Sequence, residues 1–503
     1  MSSAQPATAH DEVPRRRDGR GDDPRPGWFL LAPVLAVATA LRFYRLGADS
    51  FWDNEILSHN RATAGFGDAY DLVREGTHPP GYSQVVLRPW LVLGESEFMQ
   101  RFPSVVFGVA AIALTAVLAT RLAGRSAGLA AAVLSSTMPL HLYYSREGRM
   151  YALLALVLVA WTAALIRAYE RDTWRAWALY SALGAAVLYT HYYGGFTVLS
   201  VVAVTGWFEL RSGIGPRTRR WCVATAGIGV AFLPWLPTFR YQVGNDPVAH
   251  LEPLSVRGVA ELPLQFFTAF ADRSSFDTLV IATALVVLTS VALRALWSER
   301  AAHADEGFAA AVMVGAVFGT IVLSVAVSML RPLIFVRYFV GILPMVAVLL
   351  SVGLARRRVI VGAAFTALLA VSVAHAIPIL SDTWRPDFRP VTDRIETTDP
   401  GDSIVLLVGQ DASDFRVNGF RYYLDAEFAV VEVTGRVTDP VFADALVQLD
   451  EDIGIVWVVQ YQTVSGPVVA PNDFEIRSSE RFDSRFFTRR YPVSVTQLER
   501  SDV

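Results

Sequence analysis

The sequence predicts a polytopic α-helical membrane protein of about eleven transmembrane helices, followed by a small C-terminal α/β domain. Three observations carry that expectation. The 503 residues are 53% hydrophobic and only 18% charged, with a mean hydropathy of +0.37, too apolar for a soluble chain of this length. Apolar runs of about the length that crosses a bilayer recur as far as residue 380. Past Ser381 they give way to short β-branched runs separated by polar turns.

Residues 1–27 are polar, rich in Pro and Gly and of mixed charge, the composition of a disordered cytoplasmic segment. They are too long and too acidic for the leading region of a cleaved signal, so the run from Trp28 is expected to be a first anchor. The expected spans are 28–45, 99–120, 126–143, 150–168, 176–191, 194–210, 221–239, 277–297, 308–330, 335–354 and 358–380. Alternate connections (PRRRDGRGDDPRPG, RLAGR, RAYERDTWR, RSGIGPRTRR, RALWSER, ARRR) are the arginine-rich set, which places them in the cytoplasm. An odd number of spans then leaves the C-terminus outside a cell membrane. Residues 28–380 form the membrane domain, with a first outside loop at 46–98, and 381–503 the extracytoplasmic domain. There GDSIVLLVG, EFAVVEVTG and DIGIVWVVQY read as strands, and DFRVNGFRYYL and VFADALVQL as helices. No phosphate-cradling glycine motif follows a strand, so this domain is expected to be accessory.

Several classes are disfavoured. A net charge of −3 gives no nucleic-acid footprint. The lone Cys222 excludes an internal disulfide and a cysteine metal cluster.

Chemistry concentrates between Asp49 and Gln84. Asp53 and Glu55 follow Phe51-Trp52, where Trp at a membrane boundary needs only an interfacial belt. Two carboxylates at such a boundary are as readily a solvated pair as a reactive one. Their company favours chemistry: His78-Pro79-Pro80-Gly81-Tyr82 closes the same loop with two rigid φ angles. GDAYDLVREG between them reads as an amphipathic surface helix. A second charged turn, Tyr144-Ser145-Arg146-Glu147-Gly148-Arg149-Met150-Tyr151, is either a wet hairpin or a cationic site for a lipid phosphate. His191, Tyr192, Arg101 and Arg337-Tyr338 lie near the outer ends of other helices. Alone, His191 reads as a hydrogen-bonded histidine, and His59, His78, His191 and Asp53 match no metal motif, so neither a metal nor another cofactor is supported.

Taken together, the blocks FWDNEI, HPPGY, RFPSVVFG, YSREGRMYAL and RY…LP resemble the membrane glycosyltransferases of the GT-C type. The likeness is to their protein-O-mannosyltransferase and aminoarabinose-transferase-like branch (glycosyltransferase family 39) and covers residues 28–380. It implies transfer of a sugar from a polyprenyl- or dolichyl-phosphate donor to a hydroxyl of a protein, glycan or lipid acceptor, with inversion, on the outer face. It also implies an acidic pair in the first loop reading W-x-D-E, where this chain has Trp52-Asp53-Asn54-Glu55. Asp53 serves as base after a change of register, or Glu55 takes over, or catalysis is impaired. Arg101, Arg146, Arg149 and Arg337 are the expected phosphate ligands. Trp52, His78, Tyr82, Glu147, Tyr151, His191 and Tyr192 are expected to line the cavity. The alternatives are a transporter or flippase of a lipid-linked sugar, and a non-catalytic scaffold. Mid-span positions nearly free of ionisable groups speak against a conduit.

Overall fold

Each apolar segment expected to span falls on a helix in the computed structural model. The structure describes residues 28–245, 253–300, 304–356, 359–381, 387–409, 416–434, 449, 453–461, 468, 474–482, 485–486, 489–490 and 493–500. The expected N-terminal segment 1–27 and the VFADALVQ part of the last expected helix lie outside these.

Six helices among the described residues are long and apolar enough to cross a membrane: Glu97–Ala123, Tyr151–Arg171, Pro216–Gly244, Ser275–Ala295, Gly307–Ser328 and Val359–Leu380. Phe29–Phe43 and Val336–Val352 are apolar but shorter. Other expected spans are interrupted. Arg125–Thr137 stops before Pro139, which cannot donate into the helix and opens a new short one, Pro139–Tyr144. Val336–Ile342 is wound as a 3₁₀ helix before Leu343–Val352 continues it.

Tyr151–Arg171 is the central helix, with 72% of its apolar window buried against 17% for Pro216–Gly244 at the periphery. Its sequence is apolar all round, as burial on every side requires. It packs on Glu97–Ala123, on Trp174–Thr190 and on the 3₁₀ turn Val336–Ile342. The outcome is that Arg149, the ends of the loop 46–98 and Arg337 are carried on neighbouring elements.

From Phe388 the chain folds as a sheet domain. Strands β1 (Ser403–Gly409), β2 (Ala429–Thr434), β3 (Ile455–Tyr461), β4 (Phe474–Phe482) and β7 (Val493–Arg500) form one sheet in the order β2-β1-β3-β7-β4, and β5 (Arg485–Phe486) and β6 (Arg489–Arg490) a two-stranded ribbon. β1 pairs parallel with β2 and β3, and β7 antiparallel with β3 and β4. β1 is apolar on both faces because both are covered: Val405 and Leu407 join one core with Phe388, Phe420 and Trp457, while Ile404, Leu406 and Val408 join another.

Candidate active site

The stretch Asp49–Gln84 folds as two helices, Asp53–Thr63 and Phe66–Arg74, and into the start of a π-helical turn, Gly81–Leu87. Asp53 and Glu55 occupy the first turn of the first helix, where the unpaired amides favour negative charge. Phe51 and Trp52 are buried instead of lying in an interfacial belt, and Trp52 Nε1 donates to Glu147 Oε1 at 3.0 Å.

Glu55 is wholly enclosed. Its Oε1 accepts from Arg101 Nε (2.9 Å) and the Gly148 amide (2.7 Å), and its Oε2 from Arg101 Nη2 (2.7 Å). Arg101 completes its set by donating to the carbonyls of Leu46, Asp49 and Ser50. All five of its N–H groups are thus engaged within the protein. The structure gives Glu55 and Arg101 to each other.

Arg149 runs beside the same helix, donating from Nη1 to the Asn54 carbonyl (2.9 Å) and Ser58 Oγ (2.8 Å). Its buried Nε has no partner. Arg337 lies over the rings of Phe335 and Tyr338, at 4.4 and 5.5 Å, and its Nε is likewise buried and unpartnered. Arg146 is directed elsewhere. It donates to the carbonyls of Ile379 and Tyr44 and lines a small cleft with Arg45, Asp49 and Tyr143.

The Pro79-Pro80-Gly81 return fixes the remaining groups. A Cβ at Gly81 would stand 2.3 Å from the Tyr189 carbonyl oxygen, so the loop presses against the end of helix Trp174–Thr190. That contact brings His78 and His191 to a ring separation of 4.9 Å. Tyr151 and Tyr338 lie 5.7 and 5.4 Å from His191. His191 Nδ1 accepts from the Tyr193 amide, which puts the proton of the neutral ring on Nε2; that atom is buried without a partner, as is His78 Nδ1. Burial, then the charges of His191, Arg149, Arg61 and Arg337, holds the His78 imidazole well below the usual histidine range. Tyr82 is anchored away from this cluster, its hydroxyl 3.2 Å from Ser104 Oγ.

From His78, His191 and Tyr338 a groove of about 460 Å³ opens, walled largely by apolar side chains such as Phe196, Leu199, Phe232 and Leu333. Tyr192 lines it too, its hydroxyl held by Gln242 and Trp235. Among the described residues no three His, Cys, Asp or Glu stand together as metal ligands would. The site therefore pairs an apolar groove, into which His78, His191 and Arg331 face, with Arg149 and Arg337, whose charges act on His78 from nearby.

Residues 77–238 match the family model for dolichyl-phosphate-mannose-protein mannosyltransferases. In the same bundle, the structure resembles ArnT from Cupriavidus metallidurans bound to undecaprenyl phosphate (TM-score 0.53, 15% identity, 93% of this chain and 98% of that one). The fold is GT-C. A second GT-C likeness is to the oligosaccharyltransferase of Archaeoglobus fulgidus in its apo form, with a TM-score of 0.53 and 11% identity over 85% of this chain and 69% of that one. The ArnT match covers too much of the chain to end with the GT-C helices and extends into the sheet domain. No curated protein sequence matches the chain.

Sequence reasoning missed three participants. Gln100 is wholly buried, donating to the Glu55 carbonyl (2.7 Å) and meeting His59 Nδ1 at 3.0 Å. Tyr422 and Tyr423 reach the loop from the sheet domain. A glutamine inside an apolar helix was a signal in the sequence; nothing local marked the tyrosines.

Proposed function

We propose that this chain is a membrane glycosyltransferase that moves a sugar from a polyprenyl-phosphate donor to an acceptor hydroxyl at the extracytoplasmic face. The observation that carries the reading is an apolar groove that opens at His78 and His191, with Arg331 in its wall and the charges of Arg149 and Arg337 acting on His78. An isoprenoid chain suits the groove, and two arginines with spare N–H groups suit its phosphate.

Asp53 is the base. In this reading Glu55 holds Arg101, and Asp53, in the first turn of the same helix, takes the proton, the change of register in Trp52-Asp53-Asn54-Glu55 being absorbed at the helix start. The acceptor oxygen attacks the anomeric carbon while its proton passes to the Asp53 carboxylate. The bond from that carbon to the phosphate oxygen breaks, and the leaving phosphate gathers charge that Arg149 and Arg337 stabilise. A phosphate leaves without a general acid, and one direct displacement inverts the anomeric centre. His78, neutral through burial, donates or accepts hydrogen bonds at the groove without adding charge.

The test is transfer of labelled sugar in detergent from a panel including dolichyl-phosphate mannose and undecaprenyl-phosphate-linked sugars. The expected result is transfer with an inverted product. Retention would require a covalent intermediate, and transport across vesicles without transfer would replace this reading with a flippase.

A further inference from the structure

The segment leading into Asp53 is held from the sheet domain. The Phe51 amide donates to the Tyr423 hydroxyl at 2.5 Å, and that hydroxyl donates to Glu97 Oε1 at 2.8 Å. Arg389 approaches the same Glu97 at 3.5 Å and donates to the Ala48 carbonyl. The Phe388 amide donates to Ser50 Oγ at 3.1 Å. Beside these, the Tyr422 hydroxyl meets His59 Nε2 at 3.3 Å, one side of the helix further on, and its ring packs edge-on against Phe51 and His59. Residues 48, 50 and 51 are therefore each tied to the sheet domain, immediately before the helix that starts at Asp53.

That helix needs such support. Its N-cap is Trp52, which has no side chain able to accept from the first-turn amides and makes no cap hydrogen bond. The helix of the sheet domain that supplies the tyrosines, Arg416–Tyr423, is itself anchored, with Phe420 and Leu424 in the core against Leu407 and Trp457. A rigid sheet thus fixes the Tyr423 hydroxyl, and the hydroxyl fixes the backbone one residue before the N-cap.

We propose that Tyr423 is a positioning residue: through Phe51 and Glu97 it sets the direction of the first turn that carries Asp53, so that the sheet domain governs how well the base addresses the acceptor. This rests on the reading of Asp53 as the base. The Tyr423 phenol is held above its usual range, first by burial, and stays a hydrogen-bond donor to Glu97 throughout the working pH range. Misplacing a reacting group by about 1 Å costs up to about 100-fold in rate, and loss of one of several restraints is expected to cost about tenfold.

The experiment compares Tyr423→Phe with wild type in full-length protein, using whichever labelled polyprenyl-phosphate sugar wild type turns over. Expected are kcat lowered about tenfold, KM for the donor unchanged, and faster hydrogen exchange at the amides of residues 50–53. Wild-type kcat in spite of faster exchange would overturn the proposal, as would kcat and KM changing together with a lower melting temperature. If Tyr423→Phe does not fold, Glu97→Ala, which leaves the tyrosine and removes its acceptor, carries the same expectations. Asp53→Asn separates the two readings. If it is inactive while Tyr423→Phe and Glu97→Ala turn over normally, the base stands and the positioning role falls. If Asp53→Asn turns over normally, both fall.

Discussion

Arg101 grips Glu55 with two parallel N–H groups, at 2.9 and 2.7 Å, where neither side chain meets solvent. Breaking such a pair from one side leaves a buried charge and costs about 3–5 kcal/mol. Glu55→Gln and Arg101→Met are each expected to lower the melting temperature in detergent sharply. The double variant Glu55→Gln/Arg101→Met is expected to lose much less than the sum, since both charges leave together. Additive losses would show that the two side chains act independently.

Arg149 and Arg337 are expected to govern donor affinity. Arg149→Gln removes a charge-assisted contact worth about 1.5–3 kcal/mol, an affinity loss of about 10–100-fold for undecaprenyl phosphate by direct binding. Arg149→Lys is expected to recover little of it, because an ammonium cannot hold both Asn54 and Ser58 while reaching a phosphate. Arg146→Gln, whose parent donates to Ile379 and Tyr44, is expected to leave donor affinity unchanged.

His78 should contribute to loss of stability in acid. Its folded pKa is depressed by burial, so below about pH 6.5 the unfolded chain takes up a proton that the folded chain refuses. Stability from this residue is present above that pH and declines below it. His78→Asn is expected to flatten the fall in melting temperature between about pH 7 and 5. A fall as steep as that of wild type would remove His78 as a contributor.

Gly81→Ala is expected to destabilise the loop return by about 1–3 kcal/mol, because the new Cβ would meet the Tyr189 carbonyl at 2.3 Å and neither partner is a flexible side chain. Since that return carries His78 to His191, donor binding should weaken as well. Gly67→Ala, at a position with open space around it, is the matched control.

The layout was legible in the sequence because hydropathy reports lipid contact directly. Apolar runs located the helices, and the run SIVLLVG located a strand, which lies in the interior of the sheet. Among the described residues, Pro139 and the 3₁₀ turn at Val336 break segments whose composition alone looks continuous. At the site, sequence brought this loop and these arginines into view. It could not sort them. Arg101, Arg146 and Arg149 look alike in one dimension, and only the carbonyls of Leu46, Ile379 and Asn54 decide which are used up in structure. The tie from Tyr423 to Phe51 joins positions 372 residues apart and left no local trace.

The central claim is that Asp53 takes the acceptor proton while Glu55 supports the loop. It is tested most directly by single-turnover transfer from a polyprenyl-phosphate sugar by Asp53→Asn, with folding checked by its melting temperature and by undecaprenyl phosphate binding. The account predicts a folded protein that binds the lipid phosphate normally and transfers at least about 100-fold more slowly. Wild-type transfer by Asp53→Asn would contradict it and move the reaction away from this loop helix.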